Sequence, residues 1–215
     1  MASDTVPTME LWRAGELEVR IVDGHAELPN AIVDDDGFLL EGSFSGCQSL
    51  ASVTIPPLAL AIGACAFCNC SSLKVLTIPR SVIKIDELAF WGCKSLTSIE
   101  LPSSVTIIGS QAFGGCTSLT SLSIAASVTA ISFGAFEGCT SLTSVVIPAS
   151  VTEIATGAFS GCTSLSSVII PSSVIKIYYD VFKECASLKA VTIPAAMQLR
   201  DDAYPFPSHT AVSRA

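Results

Sequence analysis

At 215 residues, half of them apolar and 14% charged, with mean hydropathy +0.60, the chain is greasy enough to raise the question of a membrane protein. The longest uncharged stretch, 101–136, could span a bilayer by length, but Ser, Thr, Gly and Pro interrupt it every few residues, which fits a buried core under a hydroxyl-rich exterior better than a transmembrane helix. The net charge of −8 and the absence of a basic stripe exclude nucleic-acid binding by counterion displacement.

The charge is unevenly placed. Residues 1–46 hold ten acids (Asp4, Glu10, Glu16, Glu18, Asp23, Glu27, Asp34, Asp35, Asp36 and Glu41) against Arg13 and Arg20, while the remainder is balanced. Such an end keeps an apolar stack soluble. The opening MASDTVPTMELWRAGELEVR lacks the basic and long apolar regions of a secretory signal. Alternation over Glu16-Leu17-Glu18-Val19-Arg20-Ile21 predicts a strand, and Asp23-Gly24 a turn. Ile32 and Leu39 fall in phase with Ile55 and Ile62, so residues 1–43 read as an acidic N-terminal cap with a degenerate repeat.

From Phe44 onward a 23-residue register governs the chain. Phenylalanine stands at 44, 67, 90, 113, 136, 159 and 182, cysteine three places later at 47, 70, 93, 116, 139, 162 and 185, and leucine three places after that. A fixed period of this length means one supersecondary unit stacked on copies of itself, each sealing the apolar face of its neighbour. Within the unit Phe113–Ala135, Leu119, Leu122 and Ile124 end in the alternation of a short half-buried strand. Proline follows the strand at 56, 79, 102, 148, 171 and 194, with Ala125 the exception, and turns the chain because it cannot donate to a ladder. A second short extended piece comes next, Val82-Ile83-Lys84-Ile85 in one unit and its counterparts in the others. Residues 44–196 are therefore a seven-unit solenoid with two parallel ladders at roughly 4.8 Å per repeat. Its thiols fill a column too narrow for larger side chains, as small hydrophobes with a weak S–H donor.

The motifs L-x-x-[IVL]-x-[IL]-P, S-V-x-x-I, A-F and G-C-x-S-L over residues 44 to 195 resemble the BspA-type leucine-rich repeat family. The resemblance implies a β-rich solenoid, a right-handed superhelix of short parallel strands joined by irregular turns. It also implies surface adhesins or protein-binding scaffolds. The pattern departs at Ser81, Ser104, Ser127, Ser150 and Ser173, where the family has Asn or Cys, and its regular Cys precedes the strand. Downstream, Arg200 replaces an expected isoleucine and Tyr204-Pro205-Phe206-Pro207 breaks the phase, so 197–215 reads as a C-terminal cap or tail.

Catalytic chemistry is poorly supplied. His25 and His209 lie in opposite terminal segments, and neither a phosphate-binding glycine loop nor a nucleophile–base motif is present. Cys65, Cys68 and Cys70 spell C-x-x-C-x-C, but Cys70 belongs to the core column, so four convergent zinc ligands do not assemble and no metal or cofactor is expected. Asn69-Cys70-Ser71 fits a glycosylation acceptor that embeds a core cysteine. Seven cysteines in one repeat column form a packing pattern rather than a disulfide framework, which points to the cytoplasm or another reducing compartment, or to the cell surface if a leader is missing.

What remains is a surface. The outward strand positions carry Ser98, Glu100, Ser121, Ser123, Ser144, Val146, Ser167 and Ile169, a wall of short side chains with Val146 and Ile169 as anchors. Trp91, Phe133, Tyr178 and Tyr179 stand at turn positions that are small or polar in most units, as rim contacts or as covers for gaps. The function expected is a non-enzymatic module binding a protein partner, within a multi-subunit assembly or as an adhesin. The alternative is a carbohydrate- or ice-surface binder using the Ser/Thr lattice that includes Thr106, Thr129 and Thr152.

Overall fold

The computed structural model describes residues 7–197, 199 and 205–215; Arg200 and Tyr204 lie outside them. The chain begins with β1 (Met9–Ala14), β2 (Leu17–Val22) and β3 (His25–Glu27), paired antiparallel in order. The β2–β3 turn places Asp23 and Gly24 at φ 48° and 78°, the left-handed pair that matches the strand twist in a tight hairpin. A short 3-10 turn over Asn30–Ile32 leads to β4 (Phe38–Leu39).

Then the chain winds into a β-solenoid of about eight turns. One side carries β5 (Ser52–Thr54), β7 (Val75–Thr77), β9 (Ser98–Glu100), β11 (Ser121–Ser123), β13 (Ser144–Val146), β15 (Ser167–Ile169), β17 (Ala190–Ile193) and β18 (Ala211–Arg214). The other carries β6 (Ala61–Ile62), β8 (Lys84–Ile85), β10 (Ile107–Ile108), β12 (Ala130–Ile131), β14 (Glu153–Ile154) and β16 (Lys176–Ile177). Neighbouring turns pair in parallel except at two places, and Leu39 of β4 meets Ile62 of β6 as the phase predicts. Ile32 does not match Ile55: it ends the 3-10 turn, and Leu28, after β3, takes the place beside β5 because the hairpin shifts the offset to 27 residues.

The interior is the 23-residue register made solid. The phenylalanine, cysteine and leucine of the register, from Phe44, Cys47 and Leu50 to Phe182, Cys185 and Leu188, are fully buried in all seven units. Phenyl rings stack along the solenoid with centroids 5.2–5.7 Å apart, in the range of offset stacking. Trp12 from β1 lies over Phe44 at 6.5 Å, its indole N–H donating to the Ser43 carbonyl at 2.8 Å. At the other end Phe206 stacks on Phe182 at 5.6 Å, and β18 pairs with β17. Residues 205–215 thus add a further strand and ring to the stack in spite of the broken phase.

The glycine of the G-C motif has a backbone reason. Gly46, Gly92, Gly115, Gly138 and Gly161 all adopt φ between 68° and 77°, the left-handed region that glycine enters without strain.

Neither ladder is continuous. On the second side β10 and β12 belong to separate sheets. Elsewhere on that side a backbone N–H bridges the turns, as Gly109 donates to Ile85 and Ala155 to Ile131, each at 2.8 Å. Here the Ser132 hydroxyl takes the Ile108 carbonyl at 2.5 Å instead. A side chain has displaced its own backbone from the ladder. On the first side the interruption falls between β7 and β9.

Candidate interaction face

The three-residue strands alternate exposed, buried, exposed, because successive side chains point to opposite faces of a sheet. The buried middle residues hold the core, and the outer two form columns. Ser98 pairs with Ser121 and Glu100 with Ser123. Ser123 then pairs with Val146, Ser144 with Ser167, and Val146 with Ile169. The eight strand positions singled out in the sequence therefore lie on one face. Val146 is 78% and Ile169 70% exposed, side by side, and Thr192 follows Ile169. Ser98, Ser121, Ser144 and Ser167 are exposed at the start of their strands.

The face runs further than the 23-residue register reveals. His25 pairs with Ser52 and Glu27 with Thr54, and the His25 ring Nδ1 lies 2.7 Å from the Ser52 hydroxyl. At the far end Ala211 and Ser213 continue the two columns beyond Ala190 and Thr192. Sequence reasoning missed these four because the offsets are 27 and 21 residues rather than 23. The alternation around each was the available signal.

The four aromatic candidates are not on this face. Trp91 sits in the turn after Phe90, against Gly114, where a Cβ would meet its indole at 2.9 Å. Phe133 follows β12, and Tyr178 and Tyr179 follow β16. Trp91, Phe133 and Tyr179 are exposed. The Lys176 ammonium lies 4.2 Å above the Tyr178 ring and donates to its hydroxyl, which raises the lysine above its ordinary pKa.

The repeated strand–turn unit recurs beyond this chain. The family model for a BspA-type leucine-rich repeat region matches residues 39–164 and 84–206, with six copies. The chain belongs to that family. Its BspA-type solenoid is similar to a leucine-rich repeat protein of Eubacterium ventriosum at 27% identity and TM-score 0.69, covering 83% of this chain and 45% of that one. A T. pallidum leucine-rich repeat protein matches at 26% identity and TM-score 0.54, over 91% of this chain and 89% of that one. One from Bacteroides ovatus shares the fold at 22% identity and TM-score 0.50, over 95% and 67%. The chain thus spans less than half the length of the E. ventriosum chain. No curated protein sequence matches it.

Among the described residues of this BspA-type chain the other reactive groups do not converge. His25 and His209 stand near opposite ends of the strand ladder, by β3 and β18. Among the described residues no group of three or more His, Cys, Asp or Glu is placed to hold a metal ion. Cys65 and Cys68 close one turn, the Cys68 N–H donating to the Cys65 carbonyl at 3.0 Å. Both are free and half-buried. Burial raises the Cys65 thiol, with Cys68, Glu41 and Glu87 adding to it. No helix among the described residues is long and apolar enough to cross a membrane.

Proposed function

We propose that this chain is a non-catalytic protein-interaction module, a scaffold, adhesin-like element or structural subunit, that binds a partner through its strand face. The observation that carries this is the adjacency of Val146 and Ile169, exposed among the hydroxyls of Ser121, Ser123, Ser144 and Ser167. Covering such a wall immobilises few rotamers, and the apolar pair supplies a dry centre. Trp91, Phe133 and Tyr179 belong to a separate rim that extends the contact if the partner wraps the turns. The free thiols suit a reducing compartment, and the family suits a surface role; the module works in either.

Val146→Asp combined with Ile169→Asp tests the proposal. Affinity capture from native extract, followed by native mass spectrometry, is expected to lose its partner while circular dichroism of the variant stays unchanged. Capture at the wild-type level by a folded variant would reject this face. A carbohydrate or ice surface is the weaker reading. Thr106 and Thr152 sit on the other ladder and turn their hydroxyls to the Ile83 and Thr129 carbonyls at 3.4 and 3.2 Å, so they form no free lattice.

A further inference from the structure

The strand ladder of the binding side is opened at one place while everything behind it stays closed. β7 ends a five-stranded sheet and β9 begins a six-stranded one. Behind them Phe67 and Phe90 stack at 5.2 Å with planes 3° apart, the Cys93 thiol donates to the Phe67 carbonyl at 3.2 Å, and the Phe67 N–H reaches the Ala89 carbonyl at 2.8 Å. On the second side β8 remains paired with both β6 and β10. The opening is therefore a wedge, shut at the phenylalanine column and open at the strands.

A cleft of about 570 Å³ occupies it, with Leu76, Ile78 and Arg80 on one wall and Glu100, Leu101 and Pro102 on the other. Leu76 and Ile78 are half-buried, whereas their counterparts one turn on, Ile99 and Leu101, are 4% and 5% exposed. Two strand edges thus face each other without a hydrogen bond between them. Backbone N–H and C=O groups covered by a ligand without donors and acceptors would be left unsatisfied. The chemistry that satisfies such edges along their length is another extended backbone.

We propose that this cleft takes an extended segment of a partner polypeptide by strand addition to the free edge of β7. The segment's alternate apolar side chains rest on Leu76 and Ile78, which main-chain pairing brings to one face. Arg80 and Glu100 are exposed and make no ion pair among the described residues, so one rim favours an acidic residue of the segment and the other a basic one. The three-residue length of β7 and β9 limits the paired stretch to about three or four residues, roughly 10–13 Å of strand. The site lies on the same side as the Val146–Ile169 pair but two strands away, and it stands or falls without that pair.

The test uses the full chain and one defined probe, a fluorescent synthetic peptide copying residues 96–102, LTSIELP, which holds β9's own pairing sequence. Fluorescence anisotropy is expected to give saturable binding, with amide shifts in nuclear magnetic resonance confined to Leu76, Thr77, Ile78, Arg80, Glu100, Leu101 and Ser103. The same peptide N-methylated at alternate residues keeps the side chains and loses the backbone donors, and it is expected not to bind. Leu76→Glu is expected to weaken binding at least about tenfold, roughly 1.4 kcal/mol, and Arg80→Glu, at an exposed position, supplies the same test if Leu76→Glu does not fold. The Val146→Asp/Ile169→Asp variant should bind the peptide normally. Absence of binding at millimolar peptide, or equal binding of the N-methylated form, would overturn the assignment and leave the strand-face proposal untouched.

Discussion

The Cys116 thiol donates a hydrogen bond to the carbonyl oxygen of Phe90, 26 residues earlier, at 3.4 Å. The same carbonyl accepts the N–H of Cys93 at 3.2 Å, closing the turn. Both lone pairs of a fully enclosed backbone oxygen are thereby used. The relationship recurs from Cys70 to Phe44, Cys93 to Phe67, Cys139 to Phe113, Cys162 to Phe136 and Cys185 to Phe159. Cys47 has no preceding phenylalanine turn and lies 3.5 Å from the Ser49 hydroxyl instead. The thiol column is a donor ladder as well as a filler.

That double duty predicts an order of substitutions. Cys116→Ala removes a donor and a sulfur, leaves one lone pair of the Phe90 carbonyl unmet, and should cost roughly 1–2 kcal/mol. Cys116→Val keeps an apolar group but adds volume at a site with neighbours on all sides, and should cost about 1–3 kcal/mol through overpacking. Urea unfolding monitored by circular dichroism measures both. An unchanged midpoint for Cys116→Ala would show the bond to be dispensable.

Thiol accessibility and pH give a second prediction. In the native protein a thiol-specific chromogenic reagent should titrate Cys65 and Cys68, and all nine cysteines after denaturation. Burial pushes Cys70 and Cys185 up to about 12 from the ordinary thiol value of 9.0. Cys116 and Cys139 are raised well above that value for the same reason. A raised native pKa favours the neutral thiol in the fold, so its stabilisation is complete below pH 9 and is lost as the unfolded chain ionises first. Stability should therefore fall steadily from about pH 9 towards 12. A flat stability profile over that window would contradict the burial of the column.

The stack of rings sets the third prediction. Phe113 sits between Phe90 at 5.2 Å and Phe136 at 5.7 Å, so Phe113→Ala opens a cavity with no chain end nearby to collapse into it. The cost should be about 3–5 kcal/mol. Trp12 covers one end of the column from a hairpin and remains half-buried, so Trp12→Ala should cost less and should first raise hydrogen exchange in β1 and β2. Equal losses for the two variants would show that the ends and the middle unfold as one.

Phe44 to Phe182, their cysteines and their leucines were legible because identical turns must bring identical side chains to the same place. The outer columns were legible for the same reason, as Val146 and Ile169 differ by one period. Beyond the register, legibility stopped. Phe206 follows Phe182 by one residue more than the period, and the motif around it reads as a break, yet its ring completes the stack. His25 and Glu27 reach the face through the parallel pairing of β3 with β5, at an offset of 27 residues that the 23-residue period does not encode. The wedge at β7 left no mark, because Leu76 and Ile78 keep the pattern perfectly. Core packing fixed the side-chain columns without fixing the backbone bonds beside them.

Two glycines separate steric from conformational demand, and they make the last prediction. At Gly109 an added Cβ would stand 2.5 Å from the Asp86 carbonyl carbon and 2.6 Å from the Glu87 nitrogen, both backbone atoms of the turn before. Those atoms cannot rotate away, so Gly109→Ala must push two turns apart and strain the Gly109-to-Ile85 bond, at a cost of about 1–3 kcal/mol by analogy with overpacked cores. At Gly115 the nearest atoms are 3.6 Å away, but φ is 68°, so Gly115→Ala meets only the left-handed penalty of about 1–2 kcal/mol. Asn tolerates that region, and Asn69 already occupies the corresponding place at φ 58°. Gly115→Asn should therefore recover most of the loss and Gly109→Asn none of it, a difference that thermal unfolding of the four variants resolves. Recovery at both sites would mean that the turn at Gly109 yields more easily than its contacts imply.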